Sequence, residues 1–164
     1  MADNEQPPAD EGTEPDKLRD RIQAMAPVLR TLPRGTHVCV MQEGDELYLY
    51  NITRAFELIE GRQPETTVNV AERAKLIHPR DAGELPDDKV QIDPARAETV
   101  DLSYPVLVVA GRDELDGSRG RVIDGWHRIY RASRLGIAEL PAIVISPDEE
   151  QLIRIDPGGD QDEG

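Results

Sequence analysis

The sequence predicts an α+β fold, and three observations carry that expectation. Apolar residues make up 38% of the 164 residues and aromatics only 4%, so the core must be small aliphatic packing of Val, Ile, Leu and Ala. Apolar runs of strand length, such as Pro105-Val-Leu-Val-Val-Ala and Leu140-Pro-Ala-Ile-Val-Ile, alternate with equally short helical stretches. The length leaves room for one ordinary domain, or one domain with tails, which excludes a large multidomain enzyme.

Residues 1–16 hold Asp3, Glu5, Asp10, Glu11, Glu14 and Asp16 with three prolines and no basic side chain. Nothing there offsets the entropy of ordering, so a disordered acidic tail is expected. Residues 156–164, ending Pro-Gly-Gly-Asp-Gln-Asp-Glu-Gly, are expected to be a second acidic tail. Between 17 and 32, Leu18, Ile22, Met25, Ala26 and Leu29 recur at three- and four-residue spacing. That spacing predicts an amphipathic helix interrupted near Pro27. Next, His37-Val-Cys-Val-Met and Glu46-Leu-Tyr-Leu-Tyr flank Glu43-Gly44-Asp45, a hairpin pattern with a glycine for the turn. A short helix is predicted over 53–59, stopping at Gly61. The stretch 68–77 reads both ways, extended at Val68-Asn-Val and helical over 71–77.

In the second half, Asp93-Pro94 supplies a cap and a first-position proline for a helix over 95–99. The run from Pro105 reads as a strand needing cover on both faces. A polar loop over 112–120, a short strand at Arg121-Val-Ile, a helix over 126–135 with Gly136 as its C-cap, and a strand over 140–145 follow. Residues 17–89 are expected to be a helix-hairpin extension and 90–155 the core.

Lys+Arg 19 against Asp+Glu 33 gives a formal charge of −14. Such a chain repels phosphate backbones and anionic lipid at long range, so DNA and membranes are not expected partners. A basic protein partner on the acidic surface is compatible with it. The single cysteine, Cys39, excludes an intramolecular disulfide and a multi-cysteine zinc site, and alternates with Val38 and Val40 as a small buried hydrophobe. The first residues lack a basic and an apolar signal region, and no stretch approaches about 20 apolar residues, so a soluble cytoplasmic protein is expected. No metal site is predicted: His37 and His78 lack ligand spacing, and Asp113, Glu114 and Asp116 read as a solvated loop.

The segment that carries chemistry is Val122-Ile-Asp-Gly-Trp-His-Arg-Ile-Tyr-Arg-Ala-Ser-Arg-Leu-Gly. A strand running through Asp124-Gly125 into a helix leaves free N–H groups and the positive dipole end at residues 125–127, where phosphate is a natural ligand. Gly125 removes the Cβ that would block approach, and His127, Arg128 and Arg131 are spaced to converge on one anion. Residues 117–136 hold five arginines (Arg119, Arg121, Arg128, Arg131, Arg134) and one acid, Asp124. An ordinary amphipathic helix, with Ile129, Ala132 and Ser133 inward and the arginines solvated or paired, explains the same pattern. Trp126 reads either as core or as a wall or base-stacking surface of the pocket.

Ile123-Asp-Gly-Trp-His-Arg-Ile-Tyr-Arg-Ala, Gly136 and Leu140-Pro-Ala-Ile-Val-Ile resemble the signature of the ParB/sulfiredoxin superfamily. Asp93-Pro-Ala-Arg-Ala-Glu-Thr and Tyr104-Pro-Val-Leu-Val-Val resemble the helix and strand preceding it, so the likeness spans about residues 90–155. It implies a ParB/sulfiredoxin-like domain with a small mixed sheet and flanking helices, binding a nucleoside triphosphate, ATP or CTP, with Mg2+. It implies phosphate contacts from Gly125, His127 and Arg128, with Arg131, Arg96 and Thr99 in reach, and Asp124 as candidate catalytic carboxylate or helix N-cap. Trp126 stands where sulfiredoxins carry their reactive cysteine, so sulfiredoxin chemistry is not expected. The acidic residues after 146 do not resemble a helix-turn-helix domain, so partition-type DNA binding is not expected. NTP hydrolysis or phosphoryl transfer, a non-catalytic nucleotide-gated accessory role, and a DNA-directed nuclease or partition role are the three readings the resemblance allows.

Overall fold

The structure is a computed structural model that describes residue 20 and residues 23–43, 46–86 and 89–155. The two expected tails and the Gly44-Asp45 turn lie outside the described residues. Among those residues the fold is α+β, with a mixed sheet, an antiparallel sheet and several short helices.

Helix α1, Ala26–Arg30, follows a turn at Met25 and carries Pro27 in its first turn. Residues 20, 23 and 24 are helical as well, so the helical stretch is interrupted at Met25, near Pro27 as expected, and the proline sits where the N–H it lacks has no intrahelical partner. Strands β1 (Val38–Glu43) and β2 (Glu46–Asn51) form the expected hairpin, with Glu43 opposite Glu46. Helix α2 (Ile52–Leu58) starts where the Asn51 side chain accepts from the Arg54 N–H at 2.9 Å. The ambiguous stretch resolves into strand β3 (Thr66–Asn69), helix α3 (Val70–Ala74) and strand β4 (Ile77–Pro79). The helix expected to reach 77 stops at Ala74 because β4 pairs in parallel with β5 (Val90–Ile92), a pairing of distant residues that local periodicity does not show.

Helix α4 (Pro94–Ala97) begins at Asp93, whose side chain accepts from the Ala95 N–H. Strands β6 (Val106–Asp113) and β7 (Arg119–Asp124) pair antiparallel. The polar loop expected over 112–120 is thereby reduced to 114–118: Arg112, Asp113, Arg119 and Gly120 are polar or small strand residues at a hairpin tip. Glu114 is also not solvated, since its side chain is 1% exposed. Helix α5 (Trp126–Arg134), Gly136 at φ +74° and strand β8 (Glu139–Ile145) follow as expected, except that Ser133 faces solvent. Helix α6 (Pro147–Ile153) and strand β9 (Arg154–Ile155) complete the described chain. The sequence reading passed over α6, although Ser146-Pro-Asp-Glu forms a capping box: the Ser146 hydroxyl accepts from the Glu149 N–H and the Glu149 carboxylate from the Ser146 N–H.

One antiparallel sheet has the order β1-β2-β9, and the mixed sheet has the order β3-β8-β6-β7, with β6 and β8 parallel. Strands on both sides of residue 89 share all three sheets, the third being the parallel β4–β5 pair. The two-residue period of β6 distributes its apolar run as expected. Leu107 and Val109 enter a core with Tyr50, Ile52, Ile143, Ile145 and Ile153, whereas Val106 and Val108 enter a second core with Val68, Val122, Ile129 and Ala132. Burial of each such aliphatic side chain stabilises by roughly 1.5–3 kcal/mol. Cys39 packs beside the first core, and burial pushes its thiol up to about 12, with the charge of Asp124 adding to the effect. Among the described residues no helix is long and apolar enough to cross a membrane.

Candidate functional site

Helix α5 is amphipathic, with Ile129 and Ala132 buried against the mixed sheet. That packing fixes its N-terminus beside the end of β6, where β7 delivers the chain through Gly125 at φ +115°. A Cβ at Gly125 would lie 3.0 Å from the Arg128 guanidinium and 3.0 Å from the Val106 side chain, so only glycine fits this junction. No side chain caps the helix, and the first intrahelical bond runs from the Ile129 N–H to the Gly125 carbonyl at 2.9 Å. The N–H groups of residues 126–128 therefore have no partner within the helix.

A cleft of about 260 Å³ opens at this terminus. Gly125, His127 and Arg128 line it from α5, and Asp124 from the end of β7. Arg96 reaches it from α4, Val100, Asp101 and Tyr104 from the loop that follows, and His37 from the segment entering β1. Of the residues singled out in the sequence, Asp124, Gly125, His127, Arg128 and Arg96 are thus brought together.

Three others are not. Arg131 donates to the Val100 carbonyl at 2.6 Å and lines a separate groove with Glu98, Tyr130 and Arg134, because it lies about one turn, roughly 5 Å, further along the helix axis from the terminus. Thr99 donates its hydroxyl to the Arg96 carbonyl at 3.1 Å and does not line the cleft. Trp126 packs against the second core with Ile129 and Ala132, the structural alternative weighed for it. Asp124 is not the N-cap: Gly125 holds that position, and the Asp124 carboxylate accepts from Arg128 at 2.6 Å.

Arg128 is 8% exposed, and its Nε has no hydrogen-bond partner among the described residues. A buried guanidinium with an orphaned donor costs free energy until an acceptor reaches it. His127 accepts from the Asp93 N–H at Nε2, 3.1 Å away, joining the start of α5 to the cap of α4. Partial burial and the neighbouring charge of Arg96 lower its pKa below the ordinary histidine value, so the accepting neutral ring prevails at pH 7. Asp101 is exposed, and its carboxylate is held below the usual range by hydrogen bonds from the Ser103 hydroxyl and N–H. The charged side chains lining the cleft are thus Arg96 and Arg128 against Asp101 and Asp124.

Among the described residues no group of three His, Cys, Asp or Glu side chains is placed to hold a metal ion. Mg2+ carried on phosphates needs only one or two carboxylates, and Asp101 and Asp124 both line the cleft. The sequence reading missed His37 and Tyr104 as cleft residues. His37 lies 90 positions from His127 and carried no spacing signal; Tyr104 was visible only as the residue before a strand-initiating proline. No family model, curated protein or solved structure matches the sequence.

Proposed function

We propose that this protein binds the phosphates of a nucleoside triphosphate at the α5 N-terminus, in a domain of ParB/sulfiredoxin type. The observation that carries this reading is Arg128, buried in the cleft wall with an unpartnered Nε beside uncapped helix N–H groups. A helix terminus and an arginine fork together suit phosphate oxygens better than any neutral ligand. Arg96 adds charge from α4, and His127 adds a ring whose protonation is sensitive to an arriving anion. The resemblance of residues 90–155 to ParB and sulfiredoxin sequences supplies ATP or CTP as the nucleotide and Mg2+ as its counter-ion, with Asp101 as the cleft carboxylate not paired to Arg128. Mg2+ would neutralise phosphate charge; the residues of this chain would orient the phosphates.

Two activities follow from such a site: NTP hydrolysis or phosphoryl transfer to a small acceptor, and nucleotide-gated binding of a basic protein partner to the acidic surface. The 2.6 Å pair between Asp124 and Arg128 favours the second, since it occupies the carboxylate that would otherwise activate an acceptor. The charge of −14 disfavours a DNA-directed role. Isothermal titration with ATP, CTP and GTP in magnesium, followed by a phosphate-release assay, tests the reading. Binding with turnover supports an enzyme, binding without turnover a switch, and no binding refutes the nucleotide site.

A further inference from the structure

The cleft is smaller than the roughly 300–1,000 Å³ that buries a drug-sized ligand, so at about 260 Å³ it accommodates phosphates and leaves the rest of a nucleotide at its rim. Tyr104 stands at that rim. The residue is 57% exposed, and it joins none of the three hydrophobic cores. Folding therefore gives no reason for an aromatic residue at this position, whereas Tyr48 and Tyr50 are buried and Tyr130 is half-buried.

The loop holding Tyr104 is fixed from both sides. Asp101 accepts from the Ser103 N–H at 2.9 Å and from its hydroxyl at 2.7 Å, closing a tight turn just before the tyrosine. Pro105 follows, and a residue before proline is confined to extended conformations. Arg131 anchors the start of the same loop through the Val100 carbonyl. With the backbone held this way, only the side-chain rotamer remains to be ordered when a flat ligand covers the ring. His37, also exposed, contributes a second ring to the same cleft from a different part of the chain.

We infer that Tyr104 is the platform on which the nucleobase stacks, with the phosphates running inward to Arg96, Arg128 and the α5 terminus. This inference rests on the nucleotide reading above. Stacking on an aromatic ring is tolerant of base identity because every base has a π-face. The platform thus selects a nucleotide over bare polyphosphate without choosing between ATP, CTP and GTP. It also moves the stacking role considered for Trp126 to a residue that faces solvent.

Titration of wild type, Tyr104→Ala and Tyr104→Trp with ATP and with inorganic tripolyphosphate, each in magnesium, tests it. Wild type is expected to bind ATP more tightly than tripolyphosphate by roughly 5- to 150-fold. Tyr104→Ala should remove most of that advantage while leaving tripolyphosphate affinity unchanged, and Tyr104→Trp should restore it. If Tyr104→Ala leaves the ratio of the two affinities unaltered, or if wild type binds both probes equally, the platform is refuted while the phosphate site stands. If wild type binds neither probe, the nucleotide reading fails and the platform falls with it.

Discussion

A buried arginine lies near each end of strand β7, Arg121 towards the hairpin and Arg128 in the helix that follows the other end, and the two ends are finished differently. At the hairpin end, Glu114 accepts from Arg73 at 2.8 Å, from the Val122 N–H at 3.1 Å and from the Leu115 N–H, with Arg121 4.0 Å away. Arg73 also donates to the carbonyls of Gly120 and Arg119. This cluster pins helix α3 to the β6–β7 turn and closes on itself. At the other end, Asp124 and Arg128 form a pair at 2.6 Å, but the Arg128 Nε is left without an acceptor and the group opens on a cleft. A closed ion cluster specifies a packing arrangement, whereas an open one retains capacity for a ligand. The difference separates the arginines of the closed cluster, which the −14 chain uses for structure, from Arg128, which we assign with Arg96 to binding.

Breaking the closed end should have the largest effect on folding. Glu114→Gln keeps the shape but removes the buried counter-charge that Arg73 meets at 2.8 Å, and chemical denaturation should show a loss of about 3–5 kcal/mol. A loss below about 1 kcal/mol would show that the cluster relaxes into solvent. Disturbing the open end through its backbone comes next. Gly125→Ala forces a side chain into positive φ and against Arg128 and Val106, so stability should fall by about 1–3 kcal/mol, with ATP affinity falling in the fraction that remains folded. Equal ATP affinity for the folded variant would detach the glycine from the site.

The smallest effect concerns His127. Its pKa is lowered in the folded state, so below the ordinary histidine value of about 6.5 the unfolded chain binds more protons than the folded one. Stability should therefore be unaffected by this residue above that pH and should decline as pH drops beneath it. Melting curves between pH 7.5 and 5.5 should show a shallower slope for His127→Gln than for wild type. Identical slopes would place the pH dependence elsewhere.

What the sequence disclosed follows from the range of the interactions involved. The β1–β2 hairpin, the caps at Asp93 and Gly136 and the two-faced burial of β6 were legible because each is set by neighbours within a few residues. The parallel β4–β5 pair, the buried role of Glu114 and the pairing of β2 with β9 were not, since their partners are distant in the chain. In the cleft, Asp124 to Arg128 were legible as a strand-to-helix turn. The exclusion of Arg131 was not, because helical spacing alone does not say that the Val100 carbonyl competes for it. His37 and Tyr104 enter only through the folding of separate segments onto one cleft.

The central claim, that the open end of β7 is a phosphate site, is tested most directly by titrating wild type and Arg128→Ala with ATP in magnesium while recording the melting temperature of each. Loss of the charge-assisted contact should weaken binding by about 1.5–3 kcal/mol, or roughly 10- to 150-fold, in a variant that remains folded. Unchanged affinity in the variant, or no binding by wild type, would contradict the account and reduce Arg128 to a structural partner of Asp124.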